Sequence, residues 1–188
     1  MVDTIRAFIA FGLPERITSQ IRGVQESIKG YKFKIKWVQP ENIHLTLKFL
    51  GNIPPSDTEK IGDAIIESVG EFGPISLSVK GIGVFPDLKR PRVLWVGITG
   101  AKNSLTGLYQ TLAENLEAIG FPKESRPFKG HLTLGRIKGR IDSKRLVYAM
   151  EEFIDFESET FEANKIILFQ SEQTTSGAVY TKLVSVKL

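Results

Sequence analysis

Cysteine is absent from the 188 residues. Disulfide frameworks, thiolate zinc sites and cysteine nucleophiles are excluded together. Histidine is nearly absent, with two in the chain, so a histidine-rich metal site is excluded too. No apolar run approaches the ~18–20 residues that span a bilayer. The opening MVDTIRAFIAFGLPE carries an acid and a base early and lacks a small-residue cleavage site. No signal peptide is expected, and the expected compartment is the cytoplasm. What is present is globular: 41% hydrophobic and 24% charged residues, in a length that suits one domain or two lobes sharing a core.

The net charge is a mild +4, unevenly spread. Between Lys123 and Arg145 eight bases (Lys123, Arg126, Lys129, Arg136, Lys138, Arg140, Lys144 and Arg145) face two acids, Glu124 and Asp142. That surplus of six exceeds the net charge of the whole chain and suits a polyanionic partner as well as it suits a solvated surface.

Periodicity divides the chain into short elements. Arg6 to Phe11 reads as a buried strand, and Leu13, Ile17, Ile21, Val24 and Ile28 mark one face of a helix ended by Gly30. Lys32, Lys34 and Lys36 alternate with Phe33, Ile35 and Trp37, predicting a strand with a cationic face. A strand over Ile43–Leu50 follows, then a helix to about Val69 opened by a capping box of Ser56 and Glu59. Strands are predicted at Ile75–Lys80 and Val93–Ile98, a helix through Leu105, Leu108, Leu112 and Leu116, and a strand at His131–Ile137. Asp142 is placed to cap a fourth helix, and strands at Phe156–Phe161, Ile166–Phe169 and Val179–Val186 complete the chain.

The pattern repeats. Strand, helix, strand with HLTL, helix and strand occur twice, with Arg6 and Arg92 86 residues apart and His44 and His131 87 apart. The expectation is one bilobal catalytic domain over 1–188, with repeats at about 4–90 and 91–188 joined at Pro86–Pro91.

Both histidines fall in the same tetrad, His44-Leu45-Thr46-Leu47 and His131-Leu132-Thr133-Leu134. On a strand, residues i and i+2 share a face. Each tetrad therefore turns an imidazole and a hydroxyl one way and two leucines the other, into a core. If a pseudo-twofold relates the lobes, the imidazoles flank a common groove. With ordinary pKa values near 6.5, one can act as acid and the other as base. In-line phosphoryl transfer needs that pair, with hydroxyls and a cation such as Arg136 on the non-bridging oxygens. A lone histidine usually just packs on its strand, but a duplicated one in a histidine-poor chain does not fit that explanation. A two-histidine metal site would want a nearby carboxylate, which neither tetrad carries. A Ser/His/Asp hydrolase would want a nucleophile elbow, which no serine has.

The tetrads fit the H-x-[ST]-x signature of the two-histidine phosphoesterase superfamily. With RAFIAFGLP, WVQPENIHLTLKFLG, FPDLKRPRVLWVGI, FKGHLTLGRI and VYTKLVSVKL around them, the chain resembles the RNA 2',3'-cyclic phosphodiesterases, historically called 2'-5' RNA ligases. The resemblance implies an α+β fold, bilobal and internally duplicated, in which two antiparallel sheets line a central groove with helices outside. It implies metal-independent, cofactor-free hydrolysis of a terminal 2',3'-cyclic phosphate to a 2'-phosphate, and ATP-independent 2'-5' ligation as the same chemistry with an RNA 5'-hydroxyl in place of water. His44 would donate a proton to the leaving 3'-oxygen and His131 would activate water. Thr46, Thr133 and Arg136 would hold the phosphate, and Lys123, Arg126, Lys129, Lys138 and Arg140 would contact RNA. The expected partner is RNA with a cyclic phosphate end, tRNA fragments included, acted on by a monomer with no membrane contact. A non-catalytic RNA-binding module would need cations and stacking rings but no paired acid and base. A phosphodiesterase of small cyclic nucleotides would keep the pair and not need the basic surplus.

Overall fold

The alternating and helical periodicities become interleaved strands and helices, described here by a computed structural model over residues 3–175 and 177–188. In chain order they are β1 (Ile5–Phe11), α1 (Glu15–Lys29), β2 (Ile35–Trp37), a 3-10 turn (Pro40–Asn42), β3 (Leu45–Ile53), α2 (Asp57–Val69), β4 (Ile75–Phe85), β5 (Val93–Gly100), α3 (Lys102–Ala118), β6 (His131–Ile137), α4 (Ser143–Glu151), β7 (Phe161–Ala163), β8 (Lys165–Thr174) and β9 (Gly177–Lys187). All pairings are antiparallel, in the order β7-β4-β5-β6-β3-β1-β8-β9, with β2 added on β6. The two expected sheets are joined by one residue pair, Leu45 with Leu132. On one side of it lie β3, β1, β8 and β9; on the other lie β6, β5, β4 and β7.

This order crosses the sequence repeat. Strand β4 comes from the first half but lies in the lobe of β5 and β6. Strand β8 comes from the second half but pairs with β1. Each half thus completes the other's sheet, and the Pro86–Pro91 segment is a hairpin turn between β4 and β5.

One face of the sheet carries the main core. Ile9 and Phe11 of β1, Leu45 and Leu132 pack with Ile17, Ile21, Val24 and Ile28 of α1, Ile61 and Ile65 of α2 and Leu108, Leu112 and Leu116 of α3. The opposite face of β1 turns Phe8 and Ala10 into a separate small cluster with Ile167 and Phe169. Helices therefore cover one face and leave the other concave and open.

Three expectations need correction. The lysine-rich strand is formed only over Ile35–Trp37, because Lys32 adopts φ 55° and turns the chain before it can pair. Residues Phe156 to Thr160 make one isolated bridge, Lys80 with Glu157, instead of a strand, and β7 begins at Phe161. The Ser56–Glu59 capping box does not form. Ser56 is itself in the helical region (φ −61°, ψ −21°), and its side chain caps nothing; the N–H groups of Asp57 and Thr58 bond to the carbonyls of Pro54 and Pro55. Asp142 does cap α4, its carboxylate accepting from the N–H groups of Lys144 (2.9 Å) and Arg145 (3.3 Å).

The two caps are separable in urea unfolding. Asp142→Ala is expected to cost about 0.5–2 kcal/mol, while Ser56→Ala, which breaks no cap, should lie within about 0.5 kcal/mol of the parent.

Candidate active site

The central strands are built alike. Leu45, Leu47, Leu132 and Leu134 are buried in the core, which forces His44, Thr46, His131 and Thr133 onto the concave face. Extending the antiparallel register from the Leu45–Leu132 pair brings His44 level with Thr133 and Thr46 level with His131. The tetrads thus lie crosswise about a pseudo-twofold. Each strand then bulges at the tetrad's second leucine: Ala10 and Ile9 of β1 face Thr46 and Lys48, and Trp95 and Leu94 of β5 face Thr133 and Gly135. The bulges return Phe49 and Arg136, each five residues past its histidine, to the groove face. The wholly buried Gln25 of α1 braces the second bulge, its amide donating to the carbonyls of Leu134 and Val38 (both 2.9 Å).

Both imidazoles are oriented in the same way. His44 Nδ1 lies 2.8 Å from the carbonyl oxygen of Asn42, and His131 Nδ1 lies 2.7 Å from that of Lys129. A carbonyl only accepts, so Nδ1 carries the proton in both rings and Nε2 is left for chemistry. Aromatic rings fix the planes. Phe8 stacks on His44 at 4.5 Å, and Tyr180 meets it edge-on at 5.4 Å. Phe85 meets His131 edge-on at 4.9 Å, and Trp95 stands 6.3 Å away. Trp95 lies flat over Gly83, where a Cβ would come within 2.2 Å of the indole, so no larger residue fits there.

A cavity of about 720 Å³ opens on this face, within the ~300–1,000 Å³ range of ligand sites. Its lining includes His44, Thr46, Thr133, Arg136, Lys36, Lys138, Arg6, Phe8, Phe49 and Tyr180. His131 is outside that lining, so the cavity extends from the His44 side. Phe49 remains 59% exposed.

The family described as LigT like Phosphoesterase matches twice, over residues 11–95 and 96–180. The chain belongs to this family. It is similar to the RNA 2',3'-cyclic phosphodiesterase of Aquifex aeolicus (strain VF5), with 37% identity over 185 residues covering 96% of this chain and 95% of that one. It is also similar to the enzyme of the same name from Methanocaldococcus jannaschii, with 37% identity covering 94% and 96%. Among solved structures, a Thermus thermophilus protein superposes with TM-score 0.80 at 26% identity over 98% of each chain. Escherichia coli LigT complexed with 3'-AMP superposes with TM-score 0.76 at 22% identity over 99% of each, a likeness of fold.

In this LigT-like phosphoesterase the two histidines are electrostatically unequal. Burial pushes His44 down to about 4, against the Asn42 carbonyl, which favours its charged form; positive charge on His131 adds to the depression. Burial also lowers His131; the Lys129 carbonyl opposes that, and the Lys129 ammonium adds to it. That ammonium sits over Trp95 at 4.9 Å and Phe85 at 5.2 Å, the rings that frame His131.

The basic run is divided by the fold. Arg136 and Lys138 line the groove, and Lys129 flanks His131. Lys123 pairs with Glu114 (3.6 Å) and Glu117 (3.4 Å) of α3. It lines a separate cavity of about 520 Å³ with Arg126, Tyr109 and Phe128. Arg140 is exposed beyond the end of β6. Arg145 turns to the carbonyl of Tyr31 (3.1 Å) and the ring of Phe33. Sequence reasoning missed Arg6, Lys36, Phe8, Phe49, Phe85, Trp95, Phe169 and Tyr180. Arg6 and Phe8 were within reach as i, i+2 neighbours on β1; Tyr180 and Phe85 belong to strands contributed by the opposite half, which no local signal announces.

Titration of the imidazole signals by NMR should find His44 near pH 4 in the empty groove and well above that with phosphate added. Its folded value is below the unfolded 6.5, so between about 6.5 and 4 the unfolded chain binds the extra proton. Stability should fall as pH drops through that window and fall less in His44→Gln, as read from melting temperature. Equal acid sensitivity of the two proteins would contradict the burial of His44.

Proposed function

We propose that the chain hydrolyses RNA 2',3'-cyclic phosphodiester ends to 2'-phosphomonoesters, with His44 as acid and His131 as base. The observation that carries the reading is the matched pair of imidazoles. Each has Nδ1–H held by a backbone carbonyl two residues upstream, and each leaves Nε2 for one shared groove. Identity of 37% over nearly the whole length of enzymes named for this activity supports it.

In the reaction, His131 Nε2 takes a proton from water as its oxygen bonds to phosphorus. The P–O3' bond breaks opposite, and His44 Nε2–H protonates the departing 3'-oxygen. Thr46 and Thr133 hydroxyls donate to the non-bridging oxygens, and Arg136 balances their charge. The leaving oxygen belongs to the ribose, so the acid must stand beside the nucleoside. The cavity is lined by His44 and not by His131, which suits His44 as acid. Charge placement suits it too: Phe8 stacked on His44 favours an imidazolium, while Lys129 opposes one on His131.

An imidazole that titrates near 4 is neutral at pH 7, so the substrate must charge it. A phosphate anion about 4 Å away at an effective dielectric of about 20 contributes about 4 kcal/mol, roughly a thousandfold in protonation equilibrium. That returns His44 to the neutral range only when substrate is bound. An RNA 5'-hydroxyl in place of water would give a 2'-5' bond by the same steps.

No metal is required by this scheme, and neither tetrad has a carboxylate beside it to complete a ligand set. The enzyme acts as one domain over 1–188 with its repeat boundary near 90, a division supported by the two family matches meeting at 95 and 96. It works on RNA ends, tRNA fragments among them, in the cytoplasm and as a monomer.

End-group analysis of an RNA oligomer bearing a 2',3'-cyclic phosphate tests the proposal. In EDTA the product should be a 2'-phosphate at an undiminished rate. His44→Ala and His131→Ala should each lower kcat by about 10²–10⁴-fold, at least about 3 kcal/mol of barrier, with melting temperature retained. A 3'-phosphate product, or near-parental turnover in either variant, would refute the assignment.

A further inference from the structure

The short strand β2 is an addition to β6 in the second lobe, and it brings two separate parts of the sequence onto one ribbon. Lys36 pairs with Arg136, Ile35 with Ile137 and Trp37 with Gly135. The next pair outward is Lys34 with Lys138, and the Lys138 N–H donates to the Lys34 carbonyl at 2.7 Å. Ile137 is buried, with Ile35 packed against the same core. Strand alternation therefore puts Lys34, Lys36, Arg136 and Lys138 together on the opposite, groove-facing side. Lys36, Arg136 and Lys138 line the 720 Å³ cavity, and Lys34 continues the ladder past it.

Like charges directly opposite on paired strands are destabilising. Elsewhere on this surface Lys123 is paired with Glu114 and Glu117, and Lys80 with Glu157. Among the described residues no carboxylate forms an ion pair with any of the four ladder cations. Successive rungs are about 6.6–6.8 Å apart along the strands, comparable to the phosphate repeat of an extended single strand. The inner rung stands beside Thr133 on β6, and the outer rung points away from the reacting centre along the same strand.

We propose that the β2–β6 ribbon is a backbone-phosphate track for single-stranded RNA, in which the outer rung, Lys34 and Lys138, holds the phosphodiester upstream of the terminal nucleotide. This rests on the RNA-end reading above and specifies the substrate further, as an oligonucleotide and not a mononucleotide. It also reassigns the basic run: Lys34 and Lys36 take the part that the sequence offered to Lys123 and Arg126.

Fluorescence anisotropy with a labelled single-stranded RNA ending in a 3'-hydroxyl reads binding without turnover. Each lost contact should flatten the log–log salt slope by ~0.7, so Lys34→Gln with Lys138→Gln flattens it by about 1.4. Between 50 and 200 mM salt the parent protein should then lose about sevenfold more affinity than the variant. Lys34→Gln alone should give half the change in slope and serves if the double variant folds poorly. Lys165→Gln with Lys187→Gln removes another facing lysine pair, outside the cavity lining, and should leave the slope at the parental value. An unchanged slope in the ladder variants, an equal change in the control, or displacement of the RNA by polyglutamate as readily as by unlabelled RNA would each overturn the track. Turnover of a 2',3'-cyclic mononucleotide by the unaltered enzyme reports on the catalytic reading separately.

Discussion

One backbone pairing, Leu45 with Leu132, joins the two sheets and sets the register at their junction. Both leucines are essentially excluded from water. A slip of one residue on either strand would turn a leucine into the groove and a histidine into the core. Burial of four tetrad leucines, worth about 1.5–3 kcal/mol each, thus fixes the direction of both imidazoles. Catalytic geometry here is a by-product of register, and register is a matter of core packing.

The exchange of strands adds a second constraint. His44 belongs to the first half of the chain, yet Tyr180 and Phe169 beside it come from β9 and β8 of the second. His131 belongs to the second half, yet Phe85 beside it comes from β4 of the first. Each repeat supplies the carbonyl that orients its own imidazole, and the other repeat supplies part of the aromatic wall around it. The duplication therefore yields a site that is complete only when both halves are folded together.

What was legible in the sequence follows from range. Helix α1 was visible because its apolar spacing is local, and the tetrads were visible because strand alternation is local. The Asp142 cap was visible for the same reason. The Ser56 box failed because the turn at Pro54 and Pro55 carries Ser56 itself into the helical region, where its side chain caps nothing. The lysine strand was over-read because its length depends on β6, its partner about 100 residues away. The basic run misled in the same way. Proximity in sequence put Lys123 with Arg136, but α3 supplies carboxylates to the first and the groove receives the second. Part of each aromatic cage was invisible because exchanged strands bring in Phe85, Phe169 and Tyr180.

The two halves have also diverged where symmetry would make them equal. Phe49 and Arg136 occupy matching places after matching bulges, yet one is an exposed ring and the other a cation. Lys129 precedes His131 by two residues, where the first half has Asn42 before His44. Asn42 donates its side-chain amide to the Ala178 carbonyl (2.7 Å) and adds no charge, whereas Lys129 brings an ammonium against the imidazole it precedes. A symmetric pair would share a proton without preference. An in-line reaction needs a preference, because water and the leaving oxygen are on opposite sides of phosphorus. The charge of Lys129 disfavours a proton on His131, while on the other side an anion bound beside His44 offsets the burial that otherwise keeps that imidazole neutral.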